Sequence, residues 1–141
     1  MLHQLTQFVM KHWELVSGFV IVTILLVMEE VKSQGGHMAV TPTSVTHLIN
    51  REDAVVIDLR DPSAYRAGHI VNAKNFPLSE FDRSQEKLKV FETKHLILTD
   101  SLGAKTVPLA MRLKKAGFQH VFILKGGMEA WKTAGMPMIK K

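Results

Sequence analysis

Short apolar runs alternate with helix-like segments through most of this chain. Residues 54–58, 95–99 and 120–124 are β-branched and leucine-rich, the pattern of strands buried on both faces. Residues 38–40 and 73–75 are weaker strand candidates. Helix signals lie between them. Thr41-Pro42 sets a capping residue before a proline at the first helical position, leading into Val45, Leu48 and Ile49. Asp61-Pro62 repeats the device ahead of Tyr65. Residues 108–116 place Leu109, Met111, Leu113 and Ala116 largely opposite Arg112, Lys114 and Lys115, and Gly117 stops them. Residues 127–133 make a last short helix. Strands alternating with helices imply a parallel sheet covered on both faces, an α/β domain of three layers.

The amino-terminal segment follows a different rule. Residues 15–28 carry no charge and are apolar on every side of a helix. At 1.5 Å per residue the run covers about 21 Å of a hydrocarbon core roughly 30 Å thick. Extending it from Trp13 to Val31 gives about 28 Å, provided Glu14, Glu29 and Glu30 reach the interfaces. Trp13 suits an interfacial anchor. One transmembrane helix is the expectation. A signal peptide cleaved near Val31-Lys32-Ser33 and a buried soluble helix are the alternatives. The predicted organisation is an anchor over 1–32, a flexible linker over 33–37 containing Gly35-Gly36, and a domain over 38–141.

Composition narrows the chemistry. The 141 residues are 46% hydrophobic and 22% charged, as in a folded core, and include no cysteine. Disulfides, thiolate metal sites and cysteine nucleophiles are thereby excluded. Residues 1–36 hold two lysines against three glutamates. That leaves 16 basic and 10 acidic side chains, a formal +6, in residues 37–141. A basic domain beside an apolar segment fits an anionic membrane surface. A basic helix with interleaved aromatics is lacking, so no nucleic acid is expected. Seven histidines, at 3, 12, 37, 47, 69, 95 and 120, show no paired ligand spacing, and no metal site or other cofactor is expected.

Two signatures carry a family resemblance. The first runs from Asp58-Leu59-Arg60-Asp61-Pro62 through Tyr65 and Gly68-His69-Ile70 to Ala73, Asn75 and Pro77. The second is Leu124-Lys125-Gly126-Gly127, followed by Trp131, Gly135 and Pro137. Together they resemble the rhodanese-homology domain, a sulfurtransferase fold whose chemistry runs through one thiolate. The family places a six-residue loop between them, beginning with Cys and ending with Arg, after a strand. Here that loop is Asp100, Ser101, Leu102, Gly103, Ala104 and Lys105, with Thr106 following. The frame is kept and the nucleophile is replaced by Asp100.

Each departure changes what the loop can do. In catalytic relatives the loop amides, the following helix dipole and the closing Arg stabilise a thiolate and its persulfide. A carboxylate forms no stable persulfide, and its charge opposes thiosulfate-like anions. Asp100 is expected to accept hydrogen bonds from loop or helix amides. Lys105 keeps a positive charge and lacks the guanidinium fork, so it either pairs with Asp100 or stays solvated. The resemblance implies that Asp58 with Arg60, and His69, are architectural. Gly126-Gly127 reads as a tight strand-to-helix turn rather than a phosphate loop. Trp131 and the domain's methionines (Met111, Met128, Met136, Met138) read as core.

No catalytic residue is assigned. The whole layout is similar to the YibN-type bacterial proteins, with an anchor ahead of a rhodanese-like domain. That likeness implies a binding or scaffold module at the inner membrane, with membrane-protein biogenesis as its expected context. It also implies a single pass, a domain facing the cytoplasm, protein partners and no small-molecule substrate. The alternatives are an accessory protein in a sulfur relay, or a hydrolase using Asp100.

Overall fold

The computed structural model describes residues 2–141, with side chains described for all of these except Leu2, Leu5 and 31–37. The chain divides into two compact units, Met1–His37 and Met38–Lys141.

The first unit is helical. Helix α1 spans Leu2–Lys11 and α2 spans Trp13–Met38, whose last residue belongs to the second unit. Residues 33–37, expected as a flexible linker, are therefore helical. A helix already formed extends at the cost of one residue per new hydrogen bond, which offsets the roughly 1 kcal/mol disadvantage of each glycine. Phe19, Val20, Ile21 and Val22, four successive residues pointing four ways around the axis, are 74, 48, 58 and 53% exposed. No face of α2 is covered there. The expectation of a transmembrane helix finds no support in the helix itself. Among the described residues no helix is long and apolar enough to cross a membrane. Glu14 and Glu29 bound the charge-free run at about 21 Å, short of the hydrocarbon thickness.

The second unit is an α/β domain. Its main sheet is built from β1 (Ala39–Val40), β2 (Val55–Asp58), β4 (Lys74–Asn75), β5 (His95–Thr99) and β6 (His120–Leu124). All pairings are parallel, in the order β1-β6-β5-β2-β4. Alternate side chains serve opposite layers, as the pleat requires. Ile57, Leu96, Leu98, Val121 and Ile123 meet Phe81 and Leu88 of α5 (Phe81–Leu88), and Ala110 and Leu113 of α6 (Thr106–Lys115). Val56, Ile97 and Leu124 meet Val45 of α3 (Pro42–Glu52), and Met128 and Trp131 of α7 (Gly127–Thr133). Trp131 also donates its indole N–H to the Pro137 carbonyl at 3.0 Å, so its polar atom is satisfied in the core.

The helix starts follow the sequence devices. Thr41 Oγ1 accepts the Ser44 N–H at 3.3 Å, and Pro42 opens α3. Asp61 precedes α4 (Pro62–Ala67) but makes no side-chain cap bond. Helix α6 begins two residues before the expected Pro108. In its first turn backbone N–H groups have no intrahelical acceptor, so a proline costs no hydrogen bond. Helix α5, β3 (His69–Ile70) and β7 (Met138–Ile139) had no sequence signal. Helix α5 is two turns long with apolar residues at its two ends, and β3 pairs antiparallel with β7.

Candidate functional site: a loop filled by its own carboxylate

Strands β5, β2 and β4 are neighbours in the sheet, so the segments leaving their carboxyl ends converge on one place. Open parallel sheets bind ligands at that edge. A cleft of about 620 Å³ opens there, lined by Leu59 and Arg60 after β2, Leu78 and Ser79 after β4, and the loop that follows β5.

That loop is residues 100–105, and Asp100 organises it. Its Oδ1 accepts the Gly103 N–H, and its Oδ2 accepts the Lys105 N–H at 3.1 Å. Thr106 Oγ1 donates to the Gly103 carbonyl at 3.0 Å, closing the turn into α6. These two amides are thus occupied by a carboxylate of the chain itself. Lys105 is exposed, and no ion pair joins it to Asp100 among the described residues.

The back of the loop is held by the second signature. Met128 N–H donates to the Asp100 carbonyl at 2.8 Å, and Glu129 N–H to the Ser101 carbonyl at 3.1 Å. This approach requires glycine. Gly127 sits at φ +60°, and a Cβ there would lie 2.5 Å from the Asp100 carbonyl oxygen and 2.7 Å from the Leu102 nitrogen. Gly126, at φ +75°, makes the αL turn from β6 into α7. The glycine pair is a strand-to-helix turn pressed against the loop.

The neighbouring wall is fixed by a buried ion pair. Asp58 is fully buried, and Arg60 grips both its oxygens, with Nη2 to Oδ2 at 2.7 Å and Nε to Oδ1 at 3.0 Å. Arg60 Nη2 also donates to the Gly68 carbonyl at 2.7 Å. The Asn75 amide bridges the Asp58 and Arg60 carbonyls at 3.0 and 2.9 Å. His69 stacks on Tyr65 with ring centroids 3.8 Å apart and sets Nδ1 2.8 Å from the Tyr65 carbonyl. Tyr65 donates its hydroxyl to the Ala73 carbonyl at 2.6 Å. Burial, with the Asp58 charge second, raises the Tyr65 phenol above its ordinary value. These groups brace the backbone around the cleft.

Asp61, Leu78 and Ser79 line the cleft as well, and the chain pattern did not single them out as site residues. They follow β2 and β4, and only the strand order shows that both leave the sheet beside β5.

A family model described as rhodanese-like domain matches residues 41–134. The chain belongs to the rhodanese-like domain family. YibN of Escherichia coli K12 is 33% identical over 141 residues, covering 99% of both chains. A protein of Pseudoalteromonas translucida named thiosulfate sulfurtransferase GlpE is 30% identical, over 70% of this chain and 90% of its own. Among solved structures, the Alr3790 protein from Anabaena is 28% identical with a TM-score of 0.62, covering 72% of this chain and 80% of that one. The rhodanese-like frame is shared, and this member has no cysteine.

Proposed function

We propose that this rhodanese-like domain is a non-catalytic protein-binding module held at the bacterial inner membrane. One observation carries the reading: the Asp100 carboxylate occupies the Gly103 and Lys105 amides, where a persulfide would be stabilised. A sulfane sulfur needs a thiolate to attack it, and the chain has no cysteine. What the loop retains is shape and hydrogen-bonding groups beside an open cleft, which suits recognition. The apolar run 15–28 makes the membrane the expected setting, with membrane-protein biogenesis a fitting context.

The exposure of α2 supports the membrane part. A protein partner covers one face of a helix, whereas apolar side chains exposed all round call for a lipid surround. A run of about 21 Å is accommodated by local thinning of the bilayer and by flanking glutamates reaching the headgroups. The cytoplasmic side is the face we propose for the domain, an analogy with the family and a part of this reading.

The test is sulfur transfer from thiosulfate to cyanide by the purified full chain in neutral detergent. Turnover equal to the protein-free background is expected. Sustained turnover that survives repurification and disappears in Asp100→Ala would overturn the reading and locate a new mechanism.

A further inference from the structure

The cleft keeps polar groups that the domain's own hydrogen bonding leaves over. The Arg60 side chain is 9% exposed and lies in the cleft wall. Its Nε and Nη2 are committed to Asp58 and to the Gly68 carbonyl. Nη1 has no partner among the described residues, yet no fully buried side-chain nitrogen lacks one there. Nη1 therefore reaches the surface, and the surface that Arg60 lines is the cleft. An unused donor in such a place calls for an acceptor on the ligand.

The rim asks for the opposite. Asp61 is exposed, makes no cap bond to α4, and forms no ion pair among the described residues. Asp58 neutralises Arg60 from behind, so Asp61 and Asp100 against Lys105 leave the cleft one charge negative. That balance disfavours an anion, and the Asp100 carboxylate already takes the Gly103 and Lys105 amides. The walls are apolar: Leu78 is 38% exposed and Leu102 is 68% exposed. Donor, acceptor and apolar wall together match a peptide better than a metal ion or a small oxyanion, and about 620 Å³ is within the usual range of ligand sites.

The geometry points to a recognition cleft for an extended segment of a partner protein that presents an apolar side chain next to a basic one. The apolar side chain lies between Leu78 and Leu102, a main-chain carbonyl accepts from Arg60 Nη1, and the basic group meets Asp61. This inference rests on the reading of the domain as a protein-binding module and names what it binds.

The test uses the full chain in neutral detergent and two capped pentapeptides, Ala-Ala-Leu-Lys-Ala and Ala-Ala-Leu-Glu-Ala. Binding is followed by NMR shifts of amides 59–61, 78–79 and 100–105. The lysine peptide is expected to bind about fivefold more tightly at low salt, the scale of one exposed charge contact. Added salt should shrink that preference. Asp61→Asn should bring the two peptides within about twofold. Leu102→Ser, at an exposed position, should weaken both by about fivefold through lost apolar contact. Equal or tighter binding of the glutamate peptide, indifference to both substitutions, or no saturable shift with either peptide would each overturn the inference. Sulfur-transfer turnover would instead overturn the non-catalytic reading. Absent turnover with absent peptide selectivity would remove this inference alone.

Discussion

Asp100 follows β5, and its carboxylate binds the amides of its own loop. Both its oxygens face inward, to Gly103 and Lys105, so the amides still point at one centre. If that geometry is what the family uses, a thiol placed there should ionise easily. Asp100→Cys combined with Lys105→Arg is expected to titrate below the ordinary cysteine value of about 8.5 and to accept sulfur from thiosulfate. Asp100→Cys alone should do so more weakly, since lysine lacks the guanidinium fork. The alkylation rate with iodoacetamide as a function of pH measures this. A thiol titrating at or above about 8.5 in both variants would show that the cradle depends on the carboxylate that fills it. Tyr65, the only tyrosine, offers a second residue-level test. Burial and then the Asp58 charge raise its folded-state value above 10.0, so the folded chain holds that proton more tightly than the unfolded chain. Its contribution to stability is intact below pH 10.0 and is lost as pH climbs through the folded-state value. Absorbance titration of the phenolate should give a higher midpoint for native than for denatured protein. Coincident midpoints would refute it.

Between elements, the close approach of the 126–127 turn to the 100–105 loop does what no single helix or strand does. The main-chain bonds from Met128 and Glu129 bind the start of α7 to the loop after β5, and a Cβ on Gly127 would collide with the loop backbone. Two glycines separate strain from crowding. Gly127→Ala and Gly135→Ala both place a Cβ at positive φ, which costs roughly 1–3 kcal/mol. Nothing lies within 4 Å of a Cβ at Gly135, whereas one at Gly127 collides with the loop backbone. Gly127→Ala should therefore be the more destabilising by thermal or denaturant unfolding, and it should also shift the amide resonances of 100–105. Equal losses at both sites would mean that the loop moves aside freely.

At the scale of the molecule, two units with different surfaces share one chain. The unit Met38–Lys141 has two closed apolar layers around its sheet, and the unit Met1–His37 shows apolar side chains on every side of α2. The first buries its apolar layers within itself, and the second leaves apolar side chains of α2 exposed. The full chain is expected to stay with membranes through alkaline carbonate washing, while 38–141 alone should be recovered in the supernatant and unfold in one cooperative transition. Release of the full chain by salt alone would show that α2 lies on the surface without inserting. Aggregation of 38–141 would show that the domain needs the preceding helix.

Periodicity and punctuation were enough to place the strands at 55–58, 95–99 and 120–124 and the helix at 127–133, because each buries its own faces and carries its own stop signals. The rhodanese-like frame was legible through resemblance to a known family, carried by glycines, prolines and an Asp-Arg pair in two signatures. The loss of cysteine chemistry needed only composition. Other features arose between distant segments. The two-residue pairing of β3 with β7 has no local pattern, and α5 is too short to show a period. The continuation of α2 through Gly35-Gly36 reflects helix propagation overriding local preference. The cleft itself belonged to the tertiary structure. Asp61, Leu78 and Ser79 become neighbours of Asp100 only once the sheet sets β2 between β5 and β4, and strand order is a property of packing that no single segment carries.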